Sequence, residues 1–240
     1  MTKLSVVIPA LNEAATLAEV VKTLFATPLP DCALEVVIVD DGSEDATPAI
    51  VADLQRLFPA VKALRHPGRR GKGAAVRTGI GACTGDIVLI QDADLEYHPQ
   101  DIPRVIAPIL RDVADAVYGS RFLSPERRVN FFWTTKANQA ITFFANMLYN
   151  ANFTDVYTGY KAVRASLLRN LALESTSFTI EVELTAKLRR LGARFYEVPI
   201  RYHARTYTEG KKIKWHDGLK ALTAIVYHRF SPLRRDGRRG

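Results

Sequence analysis

Two cysteines, Cys32 and Cys83, are all that this 240-residue chain contains. A disulfide framework or a cysteine-based zinc site needs more. No run of about 18 uncharged apolar residues occurs, so the sequence predicts no membrane span. The opening run Leu4-Ser5-Val6-Val7-Ile8 is too short for the apolar region of a signal peptide. Internal repeats and low-complexity linkers are also missing. The five histidines, His66, His98, His203, His216 and His228, lack metal-like spacing and read as structural or exposed. The expectation is a reduced, cytoplasmic protein, at most peripheral on the cytoplasmic face of a membrane.

What is present is an ordinary globular composition, 48% hydrophobic and 24% charged. It excludes a disordered or collagen-like chain. The length predicts one domain over residues 1–230, and the basic tail 231–240 reads as disordered. Charge is unevenly placed. Residues 1–120 carry 11 Lys/Arg against 16 Asp/Glu, whereas residues 121–240 carry 22 against 9. A basic half points to an anionic partner, whether phosphate groups, anionic lipid or nucleic acid.

The first half alternates short Val/Ile runs with helical spacing. Strands are predicted at 4–9, 35–39, 61–65, 86–91 and 116–120, and helices at about 12–27, 46–58, 72–82 and 99–111. Apolar runs without alternation mark strands buried on both faces, and the intervening helices make the sheet parallel. The second half predicts helices at 130–150, 166–173, 179–191 and 217–230, with a strand at 195–202.

In open α/β sheets, ligands bind beyond the carboxyl ends of the strands. Three predicted strands end in unusual chemistry: Pro9-Ala10-Leu11-Asn12-Glu13, Asp40-Asp41-Gly42-Ser43 and Asp92-Ala93-Asp94-Leu95-Glu96. Carboxylates gathered on one rim repel each other unless a cation sits among them. Asp92, Asp94 and Glu96 are hard oxygen ligands suited to Mg²⁺ or Mn²⁺, completed by substrate phosphates. Gly68-Arg69-Arg70-Gly71-Lys72-Gly73 is a basic loop before a helix and reads as a diphosphate cradle or a solvated loop. It has neither the P-loop spacing nor the dinucleotide fingerprint.

These motifs, in this order and followed by Thr84-Gly85-Asp86, resemble the family 2 glycosyltransferases over residues 4–217. Within that family the chain is most similar to the polyprenyl-phosphate sugar transferases, the dolichyl-phosphate mannose synthase type. The resemblance implies a GT-A fold, a nucleotide-sugar donor (GDP- or UDP-linked) and inversion at the anomeric carbon. It implies that Pro9, Ala10, Asn12, Glu13 and Ala93 line the base and ribose pocket. Asp40 or Asp41 would hydrogen-bond the base or ribose, and Lys72 would lie near the nucleotide. Asp92, Asp94 and Glu96 would hold the metal, although the related pattern often has Gln where Glu96 stands.

In the basic half, Ser120-Arg121 resembles a phosphate-contact motif. Tyr157-Thr158-Gly159-Tyr160 after Asp155 resembles a turn of the family. Phe178 with Glu181 and Glu183 resembles its helix-borne acidic motif, and Arg205 with Glu209-Gly210-Lys211-Lys212 its phosphate-closing loop. The family type has an Arg in the aromatic helix, where this chain has Trp133 and Lys136. Lys136 is the candidate substitute.

A phosphate acceptor is already anionic and needs positive charge, here Arg121, Lys136, Arg205 and Lys211, with Ser120 as a further phosphate contact. A hydroxyl acceptor needs a base, with Asp94, Asp155, Glu181 and Glu183 as candidates. The catalytic candidates are therefore Asp94, Arg121, Glu181 and Glu183. The basic excess favours polyprenyl phosphate as acceptor over a saccharide or lipid hydroxyl. A nucleotidyltransferase would want a Gly-rich basic segment after the first strand. A nucleic-acid binder would leave the acidic rim unexplained. The aromatic helix and the last amphipathic helix are candidates for contact with a bilayer surface.

Overall fold

The computed structural model describes residues 1–29, 31–124, 132–204 and 215–233. Arg205 and the loop carrying Lys211 lie outside the described residues, as do the tail residues from 234 onward.

Seven strands form one sheet. In chain order the elements are β1 (Thr2–Ala10), α1 (Leu17–Ala26), β2 (Cys32–Asp40), α2 (Thr47–Leu57), β3 (Val61–Arg65), α3 (Lys72–Ala82) and β4 (Ile87–Ile90). A short 3₁₀ turn, Pro99–Asp101, leads into α4 (Ile102–Leu110) and β5 (Ala116–Ser120). The rest is α5 (Phe132–Tyr149), β6 (Lys161–Arg164), α6 (Ala165–Arg169), α7 (Ile180–Arg190), β7 (Phe195–Pro199) and α8 (Trp215–Phe230). The strand order is β3-β2-β1-β4-β6-β5-β7. All neighbours are parallel except that β6 runs antiparallel to both β4 and β5.

The sheet is buried on both faces, as its unalternating apolar runs require. Along β1, Leu4, Val6 and Ile8 enter one core with α1, α2 and α4. Val7 enters the other, with residues of α5, α7 and α8. Helix α3 packs unusually close to the sheet, because a Cβ on Gly79 would collide with the Val7 side chain.

The chain winds outward from β1 through β2 to β3, then returns to place β4 on the other side of β1. That reversal is a topological switch point, where a crevice opens beyond the carboxyl ends. Register sets the rim: Ala10 lies opposite Asp40, and Asp40 opposite Arg65. The loops carrying Asn12, Asp41 and Asp92 thus meet at one end of the sheet.

Strand β6 was not predicted. Its sequence, Lys-Ala-Val-Arg, has no apolar run. It is nonetheless buried, because Lys161 finds a carboxylate inside the protein.

Candidate active site

Asp40 and Asp41 are adjacent but do different things. Asp41 is saturated. It accepts the Arg70 and Gly71 backbone N–H groups at 3.0 and 2.7 Å, and His66 Nδ1 at 2.6 Å. The far ring nitrogen of His66 meets Thr78 Oγ1 at 2.9 Å. Asp41 therefore pins the basic loop to the sheet, and Gly71 bends there at φ 99°, a conformation that favours glycine. Asp40 keeps capacity. Its Oδ1 accepts the Ser43 N–H at 2.8 Å, while its buried Oδ2 has no hydrogen-bond donor among the described residues and lies 3.2 Å from Arg65 Nε, an ion pair. Of the two, Asp40 is the one able to accept a bond from a ligand.

The loop after β1 is latched to the loop after β2. Asn12 Oδ1 accepts the Glu44 N–H at 2.9 Å, and its own N–H reaches Ser43 Oγ at 3.0 Å. The Glu13 N–H donates to Thr47 Oγ1 at 2.9 Å, and Thr16 Oγ1 donates to the Ala93 carbonyl at 2.7 Å. Pro9 and Ala10 end β1 beside them, with Ala10 and Ala93 buried. Pro9, Ala10, Asn12, Glu13, Asp40, Asp41 and Ala93 thus lie in adjoining segments at one end of the sheet.

The backbone of the basic loop is partly engaged within the protein. Its Arg70 and Gly71 N–H groups go to Asp41, and the Gly73 N–H goes to the Thr176 carbonyl at 3.0 Å. The ligand-facing group of this segment is the side chain of Lys72. Its Nζ lies 2.7 and 3.0 Å from the two oxygens of Asp92 and 3.1 Å from Glu181 Oε1.

Glu181 lies beneath Lys72, 2% exposed, with its other oxygen 2.7 Å from Lys161 Nζ. Lys161 also donates to the Val156 carbonyl at 3.1 Å and to the Thr158 carbonyl. The result is a buried row of alternating charge: Asp92, Lys72, Glu181, Lys161. At an effective dielectric of about 20, the gross attraction of Lys72 is about 6 kcal/mol to Asp92 and about 5 to Glu181. Neither carboxylate wins outright. Burial alone would push the Glu181 carboxyl up, but the two ammonium groups outweigh it and hold it below its ordinary value. Burial would likewise lower Lys72, and Asp92 and Glu181 reverse that and raise it.

Gly159 completes this corner. A Cβ there would come within 2.7 Å of Asp92 Oδ2 and 3.2 Å of Lys72 Nζ. Its N–H donates to the buried Tyr97 hydroxyl at 3.0 Å.

The three-carboxylate metal site is corrected. Among the described residues, no three His, Cys, Asp or Glu side chains converge. Glu96 turns away, because its Oε2 accepts the Tyr202 hydroxyl at 2.8 Å. Asp94 Oδ1 accepts the Glu96 N–H at 3.2 Å, which shapes a tight loop with Leu95 at φ 59°. Asp92 and Asp94 together do fit a hard cation. Mg²⁺ is commonly held by one or two carboxylates and completed by substrate phosphates.

Glu183 is corrected as well. Its carboxylate faces away from the rim, accepting the Glu174 and Ser175 N–H groups at 2.8 Å each and lying 2.5 Å from Lys187. It shapes the 174–176 segment against which Gly73 packs. Lys136 is exposed on α5, 3.2 Å from Gln139 and over the Phe132 ring, with no anion of the rim as partner among the described residues. Ser120 is fully buried and bonded to Thr154 at 2.7 Å, so it braces the end of β5.

Arg121 forms a two-pronged pair with Asp155, at 2.7 Å on both arms, and its face lies over Tyr202. One arm of the guanidinium remains for an anion. Asp155 and Thr154 are held from behind by Glu197, which accepts both N–H groups. His98, expected to be structural or exposed, has a structural partner. It sits 2.6 Å from His203 and ties the acidic loop to the segment after β7.

The profile of the glycosyl transferase family 2 matches residues 5–172. The chain belongs to that family. This glycosyltransferase is 32% identical over 215 residues to the undecaprenyl-phosphate mannosyltransferase of Micrococcus luteus, covering 85% of each chain. It is 28% identical over 230 residues to the dolichol-phosphate mannosyltransferase of Pyrococcus furiosus, covering 95% of this chain and 62% of that one. In fold, the transferase is similar to glucosyl-3-phosphoglycerate synthase from Mycobacterium tuberculosis, solved with Mn²⁺, uridine diphosphate and phosphoglyceric acid. The TM-score is 0.73 at 22% identity, over 96% of this chain and 80% of that one. The transferase thus has the GT-A architecture that its motifs predict.

No single motif pointed to Lys161 or to the His66–Thr78 brace. Their role arises from packing between distant segments, and one sequence carries no signal for it.

Proposed function

We propose that this glycosyltransferase moves a hexose from a nucleoside-diphosphate sugar to polyprenyl phosphate, with inversion. The supporting observation is that cations already hold three of the four carboxylates that could serve a hydroxyl acceptor as base, and the fourth, Asp94, is assigned here to the cation. Asp155 is clamped by Arg121, Glu181 by Lys72 and Lys161, and Glu183 by Lys187. Burial would raise Glu181 and Glu183, but their cation partners hold both below the ordinary carboxylate value, which makes them poor proton acceptors. A phosphate monoester needs no base. The names of the similar transferases from Micrococcus luteus and Pyrococcus furiosus support the same acceptor.

In this reading residues 1–230 act as one catalytic unit. Pro9, Ala10, Asn12, Glu13 and Ala93 frame the base and ribose, and Asp40 Oδ2 accepts a bond from the nucleoside. Asp92 and Asp94 hold Mg²⁺ or Mn²⁺. When bound, the cation supplies Lewis-acid charge to the donor diphosphate. Lys72 adds a fixed positive charge to the same diphosphate. Arg121, aided by Arg205 and Lys211, orients the acceptor phosphate. One acceptor oxygen attacks the anomeric carbon in line, the carbon–oxygen bond to the diphosphate breaks, and the nucleoside diphosphate leaves.

The acceptor's lipid tail requires a nearby bilayer. Among the described residues, no helix is long and apolar enough to cross one. Helices α5 and α8 pack together, with the Tyr149 hydroxyl donating to the Ile225 carbonyl. They leave Trp133, Phe143, Met147, Val226 and Phe230 exposed, Trp133 by 80%. We read this as a face that rests on the membrane surface. The test is co-sedimentation of the protein with vesicles containing anionic lipid. The reading expects binding that weakens when Trp133 and Phe143 are changed to Ser, and equal binding by the variant would refute it.

A further inference from the structure

The row Asp92–Lys72–Glu181–Lys161 links four elements. Asp92 follows β4, Lys72 opens α3, Glu181 lies at the start of α7, and Lys161 opens β6. Lys161 is fully buried, 2.7 Å from one oxygen of Glu181, and held by two carbonyls of the turn before it. It is too deep to touch a substrate. The other Glu181 oxygen is also buried. Among the described residues no well-aligned donor reaches it, and its near neighbour is Lys72 at 3.1 Å. Lys72 thus stands between two carboxylates at almost equal distance, and only one of them, Asp92, faces the rim.

We propose that Lys161 is a positioning residue whose charge keeps Glu181 from capturing Lys72, so that Lys72 stays at Asp92, where the donor diphosphate binds. This rests on the donor reading above. With Lys161 present, the four charges cancel, and Glu181 already has a counter-charge. Without it, Glu181 becomes a buried carboxylate with one cation in reach, and a buried unpaired charge is strongly unfavourable. Lys72 then moves down to Glu181, and the rim loses the positive charge that the donor diphosphate would meet beside the cation. Gly159 keeps the corner open for Lys72 to reach Asp92, because a Cβ there would crowd both groups.

The test compares Lys161→Met with the double variant Lys161→Met/Glu181→Gln. Binding of UDP and of GDP, each with Mn²⁺, is read by calorimetry on the full chain, and crystal structures locate Lys72. The expected result is a loss of affinity of about tenfold or more in Lys161→Met, with Lys72 Nζ on Glu181. Neutralising Glu181 as well removes the trap, so the double variant returns to within about threefold of the native protein. A purely structural role would not be rescued this way, since the double variant removes more native bonds than the single one.

Lys72 still on Asp92 in Lys161→Met overturns the inference, as does a double variant as impaired as the single one. If Lys161→Met does not fold, the double variant decides the matter. Near-native affinity supports the inference, and a tenfold loss overturns it. Absence of UDP and GDP binding by the native protein refutes the donor reading, while the position of Lys72 in the variant structures still decides the inference.

Discussion

Glu35 shows how this protein pins a charge where no ligand comes. It lies in β2, 2% exposed, and accepts from Ser5 Oγ and from the Thr84 N–H and hydroxyl, both at 2.9 Å. Lys62 and Lys3 lie 2.6 and 3.2 Å away. Burial would raise its pKa, but these partners together hold it far below its ordinary value of 4.5. A depressed carboxylate contributes stability above its unfolded pKa, and that contribution is lost as pH falls through the folded one. Glu35→Gln should therefore destabilise the fold by about 3 kcal/mol at neutral pH. It should also flatten the fall in stability below about pH 4.5, as read by urea denaturation across pH. An unchanged acid limb would remove Glu35 from this account. At the rim, Gly159→Ala tests crowding. Its Cβ displaces Asp92, and donor affinity should drop about tenfold or more by calorimetry. The places of Asp40, Asp92 and Asp94 at the ends of strands, and of Lys72 at the start of a helix, were legible in the sequence. The sequence was misleading for Glu96 and Glu183, because which carboxylate faces the crevice depends on partners such as Tyr202 and Lys187 from distant segments.

At the scale of elements, the loop from Gly68 to Gly71 and helix α3 form a unit held by buried side chains rather than by a ligand. Asp41 takes two N–H groups of the loop, and His66 and Thr78 hold Asp41 in turn. His66→Phe should free the loop. Hydrogen exchange at the Arg70 and Gly71 amides should speed up, and the KM for donor should rise about tenfold with little change in kcat. Unaltered exchange would refute the brace. The strands of the first half were legible because Val/Ile runs buried on both faces leave little ambiguity. Helix α1 begins at Leu17 rather than near residue 12, because Asn12 adopts φ 54° and its side chain latches the next loop. Strand β6 was invisible for the opposite reason. Its two cations, Lys161 and Arg164, are buried or half-buried only because carboxylates from α7 and from the segment before β5 await them.

Across the whole molecule, the charge asymmetry has two uses. Part of it joins the halves: Arg201 pairs with Asp101, and Arg164 and Arg194 pair with Asp115. That fraction is not offered to a partner. Lys161 and Lys187 are likewise spent on Glu181 and Glu183, and Arg121, just after β5, is a cation that an anionic acceptor would meet. Composition revealed the excess of charge but not its division, since pairing is a property of the folded chain. The one measurement that tests the central claim is product formation by the full chain. It uses a panel of UDP- and GDP-sugars, Mg²⁺ or Mn²⁺, and a short polyprenyl phosphate, with Asp94→Ala as control. The account predicts sugar on the lipid phosphate, falling about a hundredfold or more in the control. Donor turnover that leaves the lipid phosphate unmodified and instead glycosylates a hydroxyl compound would contradict it.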